Sequence, residues 1–194
     1  MRLKLIAAVL ALSFAGIASA DPIRFVYTGT GSGSLNGSNF SDAAITITAL
    51  GDTSARQSFS GGFFIDHTSA MIEIAGVGTV AFVTGTRTFM NNAVDALGFS
   101  RAGSGGNDLY NGANAVVDWD MLSNYSLSGV FGLLQWALTN VDTSGGVLLF
   151  ASSQTQGSFT ATLERDVPEP ATFGLLLGGL FALSRMRRRA NTPV

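Results

Sequence analysis

Apolar and polar positions alternate in short runs through residues 21–166. Ile23, Phe25 and Tyr27 share one face of an extended segment, and Ile45, Ile47 and Ala49 alternate with Thr46 and Thr48. Phe159, Ala161 and Leu163 do the same against Thr160 and Thr162. A period of two with one apolar face is the signature of a half-buried strand. Further strands are expected over residues 58–65, 70–75, 79–84, 116–119 and 147–151. Clusters rich in Gly, Ser, Asp and Thr at 29–37, 51–54, 76–78, 103–106 and 143–146 read as the turns between them. Residues 91–97 could form a short helical turn. Residues 130–138 are apolar enough for a buried strand or a helix, and Gly129 and Gly132 favour strand. Many short strands punctuated in this way predict a mainly β body, an antiparallel sandwich or jelly roll.

The two ends break the pattern. Arg2 and Lys4 precede a nearly continuous apolar run, residues 5–17, and Ala18, Ser19 and Ala20 follow. This is the layout of a secretory signal peptide, with cleavage expected after Ala20 so that Asp21 becomes the first residue. No Arg-Arg pair stands in it, which favours the general secretory translocon over the twin-arginine route. At the other end Val167, Pro168, Glu169 and Pro170 come before an apolar run, residues 171–184, and then Arg185, Arg187, Arg188 and Arg189. The prolines hold the chain extended ahead of the run. A helix of that length rises about 21 Å against a hydrocarbon core of about 30 Å. Arg185 can snorkel to lengthen the span, and Gly174, Gly178 and Gly179 suit a membrane helix better than a soluble one. The arginines then act as a stop that stays on the cytoplasmic side. The expected organisation is a signal helix (1–20), a β-sandwich ectodomain (21–166) and a tail (167–194) that spans the membrane.

These tail residues, in this order and close to the end of the chain, resemble the PEP-CTERM sorting signal of Gram-negative bacteria. The resemblance covers residues 167–189 and implies a partner: an exosortase, a membrane-embedded protease that cuts at Val167, Pro168, Glu169 and Pro170. It further implies release to the cell surface or an exopolysaccharide matrix. A permanently anchored product stays open as the alternative.

Composition narrows the possible roles of the body. Residues 21–169 hold five arginines, no lysine and thirteen acidic residues, a net charge of −8. Nucleic acid and anionic lipid need basic patches, so neither is an expected partner of the body. The chain contains no cysteine, which excludes thiolate chemistry and leaves an exported domain to hold itself together without disulfides.

Candidate chemistry is sparse. His67, the only histidine, is next to Asp66, but adjacent strand residues point to opposite faces, and no G-x-S-x-G elbow is present. A histidine in a loop or at a strand end is the simpler reading. Glu73 is expected to face solvent. Asp118 and Asp120 flank Trp119 and would lie about 7 Å apart on one strand face, where they could serve sugar chemistry, a calcium ion or a solvated edge. Residues 103–112 resemble a calcium-binding glycine/aspartate nonapeptide, yet the spacing is one residue short and there is a single copy; a Gly-rich loop with Asx turns accounts for them. No catalytic residues, metal or cofactor are therefore assigned. The expected function is a non-enzymatic surface or matrix protein. The alternatives are a carbohydrate-binding sandwich stacking sugars on Tyr110, Trp119, Tyr125 or Trp136, and a hydrolase assembled from Glu73, Asp118, Asp120 and His67.

Overall fold

The computed structural model describes residues 21–103, 108–113, 119–136 and 140–164. Thirteen strands make up most of these residues: β1 (Pro22–Leu35), β2 (Ser38–Asp52), β3 (Gln57–Phe59), β4 (Gly62–Asp66), β5 (Ser69–Ile74), β6 (Gly78–Ala81), β7 (Thr86–Asn91), β8 (Ala96–Arg101), β9 (Asp108–Ala113), β10 (Tyr125–Leu133), β11 (Val141–Thr143), β12 (Gly146–Ser153) and β13 (Gln156–Leu163). A 3-10 turn, Thr53–Ala55, follows β2, and the Asp52 carboxylate accepts a hydrogen bond from Ser54 N at 2.7 Å.

β1 is the organising strand. On one side it pairs with β2, Phe25 opposite Ala49 and Tyr27 opposite Ile47. On the other side residues 23–28 pair with β13 and residues 31–35 with β12. β10 continues from β13 and then crosses to β9, so that β9, β8, β7, β4 and β3 follow in one hydrogen-bonded order. On the far side of β2 come β5 and β6. A bridge from Phe82 to Thr143 brings the chain after β6 to β11, which pairs with β12, so the strands around β1 form a nearly closed ring. Every pairing among the described strands is antiparallel. The mainly β, antiparallel body expected from the sequence is present, with its strands joined in one network that passes over itself at β10.

The alternation read from the sequence sets the core. Ile23, Phe25, Tyr27, Ile47, Ile65, Ile72, Leu97, Phe99 and Phe159 are fully buried. Tyr27 holds the layers together: its ring lies 5.7 Å from Phe99, 5.1 Å from Tyr110 and 4.9 Å from Phe159.

Several local expectations are corrected. Residues 29–35, read as turn, continue β1, and the turn is confined to Asn36 and Gly37, both at positive φ (49° and 82°) as a two-residue hairpin requires. Gly33 serves close approach instead, since a Cβ there would stand 2.0 Å from the Leu149 carbonyl oxygen. Residues 58–65 are a hairpin, β3 and β4, rather than one strand. The helical turn considered at 91–97 is a β-turn joining β7 to β8. Residues 108–112 of the expected Gly-rich loop belong to β9. The apolar run 130–138 is strand as far as Leu133. The expected strand 116–119 falls largely outside the described residues, and Trp119 itself is not in a strand. The signal helix and the membrane helix also lie outside them; among the described residues no helix is long and apolar enough to cross a membrane.

Phe159 is fully buried, with aromatic neighbours on β1 (Phe25, Tyr27) and in the segment leading into β10 (Trp119). Phe159→Ala should therefore destabilise the body by about 3–5 kcal/mol. Met71→Ala, at a residue 45% exposed on β5, should change stability by less than about 0.5 kcal/mol. Chemical denaturation midpoints of the two variants check the contrast.

Candidate functional site

Where the two ends of the body lie follows from the β1–β13 pairing. Ile23 pairs with Leu163, so the chain enters and leaves at the same end of these strands. Glu164 N donates to the Pro22 carbonyl at 2.7 Å, and the Glu164 carboxylate forms an ion pair with Arg24. The Asp21 carbonyl accepts from Thr53 N and Oγ1 at 3.2 and 3.1 Å. Asp21, the expected first residue after signal cleavage, is thus tied into the sheet. Ala18, Ala20, Val167, Pro168, Glu169, Pro170, Arg185, Arg187, Arg188 and Arg189 lie outside the described residues.

His67 follows β4 directly. Its Nδ1 is 2.8 Å from Thr86 Oγ1 and its Nε2 2.8 Å from Thr88 Oγ1, and the ring lies between Phe25 and Phe99 at 5.6 and 5.3 Å. Thr88 Oγ1 in turn bonds the Tyr27 hydroxyl at 2.6 Å. Hydroxyls can donate or accept, so the neutral imidazole is satisfied in either tautomer. Burial, aided by the Arg87 charge, lowers the His67 pKa from the ordinary 6.5 to about 3. Its partners are threonines, so its place here is structural.

The other expected residues do not converge. Glu73 is exposed on β5. Asp120 caps a turn by accepting from Leu122 N at 3.0 Å and stands 4.0 Å from Arg56, while Asp118 is outside the described residues. Among the described residues no cluster of three metal-ligating side chains exists. Of the four aromatics expected to stack on sugars, Tyr110, Trp119 and Trp136 are core residues, 1%, 4% and 0% exposed, and Tyr125 is half-buried against that core. The Tyr110 hydroxyl donates to the carbonyls of Thr28 and Ser158, Trp119 Nε1 donates to the Ser123 carbonyl, and Tyr125 stacks on Trp119 at 4.9 Å. An aromatic with a polar tip is buried readily once the tip finds an acceptor.

A cleft that the sequence reading missed lies on the outer face of β4, β7, β8 and β9, with a volume of about 460 Å³. Inward-facing Thr86, Thr88 and Met90 on β7 leave Arg87, Phe89 and Asn91 outward, and all three line the cleft. Its floor is made of small residues on β8: Ala96 and Ser100 line it, and Gly98 lies between them, where a Cβ would come 2.6 Å from the Phe89 ring. Phe59 and Phe64 wall one side, their rings 6.4 Å apart. The Arg87 guanidinium lies 4.2 Å over Phe64 and is held by Asp66 at 3.0 Å. Opposite, the Asp108 carboxylate accepts from Asn111 Nδ2 at 2.8 Å, and burial raises its pKa. The alternation of 86–91 and 96–101 was the available signal, obscured because β7 turns threonines inward.

The molecule is thus a mainly β body with a cleft on one face and both ends at one edge. A scan against protein-family models matches residues 166–189 to the PEP-CTERM protein-sorting motif. The chain thus carries a PEP-CTERM sorting signal at residues 166–189, which indicates an exported protein with a C-terminal membrane-anchoring signal and implies processing by an exosortase. Searches of curated proteins and of solved structures gave no match.

The His67 pKa makes stability depend on pH. Between about 6.5 and about 3 the unfolded chain binds a proton at His67 that the folded chain does not, so stability falls as pH drops through that window. His67→Gln keeps a donor and an acceptor but cannot titrate. Its denaturation midpoint should lose much less between about pH 7 and about pH 4.5 than that of the parent.

Proposed function

We propose that this protein is a non-enzymatic component of the cell surface or extracellular matrix. The signal peptide is removed after Ala20, the tail catches the chain in the inner membrane, and cleavage at Val167, Pro168, Glu169 and Pro170 releases the body. The matched sorting motif is the observation that carries this reading. Support also comes from the edge where the body begins and ends. Glu164 is engaged with Pro22 and Arg24, so only two positions of the sequence, 165 and 166, separate the last described residue of the body from Val167. Two extended residues reach about 7 Å. A protease working at the bilayer therefore has little room beside the body.

Intact mass of the protein from cells and from the medium tests the sequence of events. The secreted form should begin at Asp21 and end within residues 167–170, and the cell-associated precursor should retain the arginine cluster. A secreted form still carrying Arg185 to Arg189 would overturn release by cleavage. Inserting a flexible Gly/Ser segment of about ten residues after Glu164 should speed conversion of precursor to released form in a pulse–chase experiment. Unchanged conversion would show that the short spacer does not limit the protease.

A further inference from the structure

We propose that the outer cleft of β4, β7, β8 and β9 is a binding site for a neutral saccharide, with Phe89 as the stacking surface and Asp108 and Asn111 as the hydroxyl-binding pair. The proposal goes beyond the sorting reading and does not depend on it. The cleft's 460 Å³ falls in the range of small-ligand sites, about 300–1,000 Å³. Its shape is built in: small residues on β8 make the trough, and Phe89 lies across it because position 98 has no side chain.

The chemistry of the walls selects the ligand. A wholly apolar molecule would bury the Asp108 carboxylate further with Asn111 as its protein partner, at a desolvation cost. An acidic molecule meets Asp108, while the countercharge of Arg87 is already engaged by Asp66, and residues 21–169 together carry −8. A cation finds a single acidic side chain among the described lining residues, Asp108, which already accepts from Asn111. A peptide adding to the sheet needs a strand edge, whereas the cleft lies on a sheet face. A neutral polyol with apolar ring faces fits both walls: its C–H face covers an aromatic ring, and adjacent hydroxyls meet an acceptor and a donor held 2.8 Å apart.

The test uses the full chain in lipid nanodiscs, with empty nanodiscs as control. Calorimetric titration with cellopentaose, maltopentaose, laminaripentaose and chitopentaose, and with an oligogalacturonate as the acidic comparison, should give binding of at least one neutral oligomer with Kd at or below about 1 mM. Phe89→Ala and Asn111→Ala should each weaken that binding about tenfold or more. Ala96→Trp, which fills the trough from its floor, should abolish it while leaving the thermal unfolding midpoint near that of the parent, so loss of binding is separable from loss of fold. Absence of binding by every neutral oligomer up to about 10 mM, tighter binding of the oligogalacturonate, or binding unaltered in the folded variants would overturn the proposal. Saccharide binding by a chain that is never cleaved would sink the sorting reading alone.

Discussion

The buried hydroxyl of Tyr27 is the contact on which the body depends. It sits in the middle of β1, the strand that pairs with β2 on one side and with β12 and β13 on the other. Its ring reaches the opposite layer at Phe99 and Tyr110, and its oxygen bonds Thr88 on β7. Burial raises the Tyr27 pKa well above its ordinary value, so the phenol stays protonated and available as a donor. Without cysteine, an exported domain has no covalent clamp between its layers. A buried polar bond closed by Thr88 and His67 does that work, and it is favourable because each member is satisfied by another.

That same bond explains what the sequence conceals. Strands with wholly apolar inner faces, such as residues 23–28, 45–49 and 158–163, are plain from their alternation. β7 is not, because its inward positions include Thr86 and Thr88, which are buried only to serve His67 and Tyr27. The glycines of residues 29–35 mislead in the opposite direction. They look like a loop, but β12 approaches so closely that a side chain at Gly33 would strike the Leu149 backbone. Tyr110 and Trp119 look like exposed binding residues until the backbone carbonyls of Thr28, Ser158 and Ser123 are seen to accept their polar hydrogens. Pattern reading found the apolar half of the core; it could not find polar groups whose partners come from distant strands.

The tail was legible for a different reason. Its order of prolines, apolar run and arginines acts through local chain chemistry and the membrane, so no tertiary partner is needed to recognise it, and residues 166–189 match the sorting motif. The cleft has no such linear signature. Phe64 on β4, Phe89 on β7, Ala96 on β8 and Asn111 on β9 come together only through the register of four strands, β4 to β7, β7 to β8 and β8 to β9.

Arg87 joins the inner and outer faces of this region. Its guanidinium stacks on Phe64 at the cleft, and its charge helps keep His67 neutral inside. β7 therefore serves both faces at once: Thr86 and Thr88 fix the core network while Arg87 and Phe89 shape the outer surface. Since one-residue alternation decides which side chains go to which side, a register slip of one position would turn Arg87 inward beside a buried imidazole and Thr88 outward to the cleft. The threonines that hide β7 from hydrophobic patterning thus give its register a stringent specification, because a charge beside the core costs far more than a misplaced hydroxyl.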